Sequence, residues 1–114
     1  MQKYLCLFRG GDERMATMSP EEVQAHMDEW RVWMEGLAEK GLLIDSLPLK
    51  AEGKQVSGGG KVVTDGPFAE GAEIVGGYLM MNATSLDEAV AQTKGCPILD
   101  ADDGHIEVRE IVDM

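Results

Sequence analysis

"SPEEVQAHMDEWRVWMEGLAEKGLL", residues 19–43, decides how this chain folds. Ser19 suits an N-cap, Pro20 suits the first helical position, and Glu22 completes a capping box three residues on. The helix that starts there is expected to run to about Lys40, with Gly41 as its C-terminal stop. At about 100° per residue, Val23, His26, Met27, Trp30, Trp33, Met34 and Leu37 share one face. Glu21, Asp28, Arg31, Glu35 and Glu39 fall mostly on the other. One long amphipathic helix therefore has to lie on something apolar.

Upstream, residues 2–8 (QKYLCLF) alternate as a strand does, and Arg9-Gly10-Gly11-Asp12 breaks the run. Downstream, Leu42–Glu52 reads as a strand kinked at Pro48 or set at a sheet edge. "QVSGGGKVV", residues 55–63, reads as a hairpin or wide turn around Gly58-Gly59-Gly60 that leads into Lys61–Thr64. Glu73–Asn82 (EIVGGYLMMN) is the strongest strand candidate, and its Gly76-Gly77 pair signals a bulge or a close backbone approach. A second helix follows, with Ser85 as N-cap, Glu88 at the capping-box position and Gly95 as the stop. His105–Val112 alternates as a last strand.

This is the βαββαβ order of an α+β, ferredoxin-like domain with an antiparallel sheet, and residues 1–114 make one domain of it. Helices on one face leave the other face of the sheet bare, although its strands are apolar on both sides. A second copy of the chain is the simplest cover, so a homodimer with sheets closing toward a barrel is expected.

Composition narrows the function. Of 114 residues, 21 are acidic and 10 basic, a formal charge of −11. Such a surface repels phosphate backbones and anionic headgroups, so nucleic acid and membrane are not expected as partners. Two cysteines, Cys6 and Cys96, make no disulfide framework, and the first apolar run is too short for a signal peptide or a membrane span. The expected location is the cytoplasm.

Histidine is scarce, which makes its placement informative. His26 lies within the apolar stripe of the first helix. It is either a core histidine bonded to a carbonyl or water, or a proton-transfer group aimed into a pocket between helix and sheet. Asp65, in "VVTDGPFAEGAE" (residues 62–73), has the same two readings. It either closes its own turn before Gly66-Pro67, or it is held by that turn so that it points inward, with Phe68 as anchor. His105 and Glu107 share a strand face but do not by themselves make a metal site. The acidic run at 100–104 is out of register for a calcium loop, and Gly58–Lys61 lacks the spacing of a phosphate loop. No metal and no cofactor are expected. Neither cysteine has a visible activating partner, so no nucleophile is expected either.

The stretch at residues 19–43, together with "VVTDGPFAEGAEIVGGYLMMNATSLDEAV" and the terminal HIEVR strand, resembles the DGPF-motif proteins of the YCII-related family. The resemblance implies a dimeric α+β barrel with a pocket in each subunit where a histidine and an aspartate meet. His26 matches that histidine and Asp65 the motif aspartate. It also implies lyase- or isomerase-type acid–base chemistry on a small molecule, and a link to sigma factors. Trp30, Phe68 and Tyr78 are the expected pocket walls. A ligand-sensing or protein-interaction module without turnover is the alternative, and a domain that only dimerises is a third reading.

Overall fold

A computed structural model describes residues 1–66 and 73–114 of the chain. Strand β1 (Gln2–Arg9) is followed by helices α1 (Asp12–Thr17) and α2 (Pro20–Glu39). Strands β2 (Leu43–Pro48), β3 (Lys54–Ser57), β4 (Val62–Asp65) and β5 (Val75–Ala83) come next, then helix α3 (Leu86–Thr93) and strand β6 (His105–Glu110).

Four strands form one antiparallel sheet in the order β2-β5-β1-β6. With β3 and β4 set aside, this is the interleaved order of a ferredoxin-like fold, and the α+β class and antiparallel sheet agree with the sequence reading. The hairpin read around the three glycines is present as well, but β3 and β4 pair with each other as a separate two-stranded sheet. Every residue of both strands is exposed. The pair is an arm, not part of the main sheet.

The capping signals of α2 act as written. Ser19 Oγ accepts from the Glu22 N–H at 3.2 Å, and the Glu22 carboxylate accepts from the Ser19 N–H at 3.3 Å. At the other end Gly41 takes φ +73°, the Gly41 N–H bonds the Ala38 carbonyl, and the Leu42 N–H bonds the Leu37 carbonyl. That left-handed residue turns the chain straight into β2. The interval read as a break also holds a short helix: α1 has a glycine N-cap with no side-chain bond and buries no residue, so neither periodicity nor caps betray it. Strand β2 is shorter than the reading of Leu42–Glu52, because it ends at Pro48, whose ring nitrogen has no proton for the ladder.

The core lies between the helices and one face of the sheet. Tyr4, Cys6 and Phe8 of β1 and Leu79, Met81 and Ala83 of β5 point into it, with Leu37 of α2 packed against them. Alternation puts Leu5, Leu7, Tyr78 and Met80 on the opposite face, where they are half-buried. At the β1–β5 pairing Phe8 faces Gly77 while Arg9 faces Val75, so Gly76 is the extra residue of a bulge. A Cβ on Gly77 would sit 3.2 Å from the Leu47 carbonyl oxygen, so the second glycine serves close approach to β2. Both halves of the Gly76-Gly77 reading hold.

Candidate functional site

The bulge opens the end of the sheet beneath α2, and a cleft of about 310 Å³ lies there. Phe8, Met27, Trp30 and Met34 give it apolar walls, and the Gly76-Gly77 backbone leaves room at its floor. Asp12 and Arg14 of α1 stand beside it.

His26 is the buried polar side chain of this cleft, 8 % exposed. One helical turn further along α2, the Trp30 indole Nε1–H donates to His26 Nε2 at 3.0 Å. An indole nitrogen has a proton and no lone pair to offer, so Nε2 must be the acceptor and the neutral ring carries its proton on Nδ1. Trp30 cannot easily turn away. Its ring meets Phe8 edge-on at 5.1 Å and Trp33 edge-on at 5.8 Å, and the Trp33 Nε1–H is tied to the Gln92 carbonyl at 3.0 Å. The i, i+4 spacing of His26 and Trp30 was visible in the sequence as a shared face. That one residue sets the tautomer of the other was not.

Asp65 is placed elsewhere. It closes the β3–β4 arm, 81 % exposed, with its carboxylate 2.8 Å from Lys54 Nζ, and it does not line the cleft. Its neighbour Gly66 donates its N–H to the Gly53 carbonyl at 2.7 Å, so the start of the motif closes the base of the arm. Pro67 and Phe68 lie outside the described residues. Tyr78 lies on the sheet face opposite the cleft, where its hydroxyl donates to Asp45 Oδ2 at 3.1 Å. Burial, then that carboxylate, raises the Tyr78 phenol above its ordinary value. Of the five expected site residues, His26 and Trp30 are brought together at the cleft, and Asp65 and Tyr78 are not brought to them.

Both thiols are free and buried. Burial pushes Cys6 up to about 11 and Cys96 to about 12. Glu107, considered with His105, is instead paired with Arg9 at 3.0 Å. A different group was missed in the sequence: a ring nitrogen of His26 and the carboxylates of Glu29 and Asp100 all lie within 4.8 Å of one another. The spacing of His26 and Glu29 on one helix could have suggested half of it, but nothing local points to Asp100.

No helix among the described residues is long and apolar enough to cross a membrane. No curated protein matches the chain. A family model described as the YCII-related domain matches residues 2–114. Because that match spans nearly the whole chain, the chain belongs to the YCII-related domain family.

Proposed function

We propose that this chain is a small-molecule enzyme of lyase or isomerase type in which His26 transfers a proton within the α2 cleft. One observation carries the proposal: a nearly buried histidine of defined tautomer stands in the wall of a mostly apolar cleft. In that tautomer the Nδ1–H can donate a hydrogen bond to a substrate oxygen, while Nε2 becomes the base that takes a proton once Trp30 yields it, and the imidazolium so formed returns that proton as the acid. Apolar walls suit a small organic molecule with a carbonyl or hydroxyl at the reacting end.

Asp65 enters this chemistry as the partner of His26 when the β3–β4 arm docks. Val56, Val62 and Val63 on the arm are exposed and are the apolar surface that docking would bury. A second copy of the chain, covering the sheet face that holds Leu5, Leu7 and Met80, is the proposed setting.

A binding module without turnover is favoured by a separate observation, namely that Trp30 already occupies the acceptor nitrogen a base would need. On that reading the charge of −11 would engage a basic protein surface, such as that of a sigma factor.

The test is a ¹⁵N NMR titration of the His26 ring with a fragment library of small ketones and hydroxy acids. An active binder should shift both ring nitrogens and lose affinity in His26→Gln. Binders that leave the ring unmoved would sink the proposal. Binders that shift the ring but show no chemical turnover would favour the module.

A further inference from the structure

We propose that His26, Glu29 and Asp100 form a site for a divalent transition-metal cation, and that filling it releases the Trp30 indole from His26. The proposal goes beyond the acid–base reading and does not rest on it: a metal-bound His26 has no lone pair left for a proton, so proton transfer belongs to the empty chain.

The three residues converge from two elements. His26 and Glu29 stand three apart on α2, neighbours on its surface, and Asp100 ends the 3₁₀ turn Pro97–Asp100 that packs beside the helix. Their ligand atoms already lie within 4.8 Å of one another. Three ligands bound tetrahedrally to one cation at ordinary lengths stand roughly 3.5 Å apart, so small rotations of the two exposed acidic side chains close the set. His26, being buried, supplies the fixed ligand.

The electrostatics favour a cation as well. Among the described residues neither Glu29 nor Asp100 has a basic partner, and the nearest arginine along α2, Arg31, is held by Asp28 and Glu35. Two carboxylates brought together with no counter-charge repel each other, and a bound cation removes that repulsion. One imidazole with two carboxylates suits zinc or manganese. Magnesium and calcium prefer oxygen alone.

A neutral imidazole has one lone pair, which Trp30 now uses. A metal bound at Nε2 displaces the indole directly. A metal bound at Nδ1 moves the ring proton to Nε2, where it opposes the indole N–H. Either way the cation and the Trp30 hydrogen bond exclude each other. Because Trp30 is a wall of the cleft, the loaded and empty chains present different pockets.

The experiment uses the full chain, stripped with chelator, labelled with ¹⁵N-tryptophan and titrated with zinc. The Trp30 indole N–H should lose its hydrogen-bonded shift, while that of Trp33, which stays bonded to the Gln92 carbonyl, moves less. Glu29→Gln combined with Asp100→Asn should weaken zinc binding at least about tenfold, and both positions are exposed, so the fold tolerates the pair. Magnesium should leave the spectrum unchanged. No zinc binding, zinc binding that leaves the Trp30 indole unmoved, or an unweakened double variant would each overturn the proposal.

Discussion

The cleft-facing half of α2 and the β3–β4 arm hold the two residues that the sequence reading paired, and they hold them in opposite ways. His26 is enclosed by its own helix, the Trp30 indole and the other residues of the cleft. Asp65 stands on a ribbon whose every residue is exposed. The first region is fixed by packing that reaches across the sequence. The second is fixed by its own hairpin ladder, by the Lys54–Asp65 pair and by the bond from Gly66 to Gly53. A histidine can be specified by the core of one chain, whereas a residue on an arm is specified by whatever the arm meets.

The sharpest way to break this contrast is to weaken each region and measure denaturation. Leu79→Ala, at a fully buried position of β5, should cost about 2–5 kcal/mol, whereas Val63→Ala on the arm should change stability by less than about 0.5 kcal/mol. Comparable losses would mean that the arm is part of the folding unit.

The enclosed side also predicts chemistry. With Cys6 raised to about 11 and Cys96 to about 12, native thiols should react with iodoacetamide at pH 8 on the order of a hundredfold more slowly than in urea. The folded chain holds these protons to higher pH than the unfolded chain does. Their contribution is therefore complete below the ordinary value of 9.0 and is lost as pH rises through about 11 to 12. A urea midpoint that does not fall above pH 9 would contradict it.

A smaller effect is expected at the hydrogen bond itself. Trp30→Phe keeps an aromatic ring in the cluster but removes the donor, so stability should fall by about 1 kcal/mol. The His26 ring should then show exchange between its two neutral tautomers by ¹⁵N NMR. A single unchanged tautomer would mean that something other than the indole sets it.

Smallest of all, Asp65→Asn should cost at most about 1 kcal/mol in the monomer, since the Lys54 pair is exposed on both sides. If the arm docks and delivers Asp65 to His26, the same change should move the ¹⁵N resonances of the His26 ring in the assembled protein. A silent substitution at every concentration would leave Asp65 as a hairpin residue.

What was legible in the sequence follows the same division. Ser19, Glu22, Gly41 and Ser85 announce their helix ends because capping is a local matter, settled within a few residues. Gly76-Gly77 announced the bulge for the same reason. The β3–β4 ladder was legible, but its separation from the sheet was not, because alternation in Lys54–Ser57 and Val62–Asp65 says nothing about which edge a strand will join. Tyr78 was expected as a pocket wall, and a parity of one residue put it on the other face. Glu29 and Asp100 were unreadable together, since their meeting depends on how the Pro97–Asp100 turn lies against α2.

The strand order has a consequence for synthesis. Strand β1 sits between β5 and β6, and the Tyr4 hydroxyl bonds the Glu110 carboxylate across 106 positions of chain. A nascent chain leaving the ribosome therefore exposes Leu5 and Leu7 on a strand with an open edge until residues 105–110 have been made. The β1 edge is therefore completed only when that last strand has been made, which makes the sheet's closing contact the most distant one in sequence.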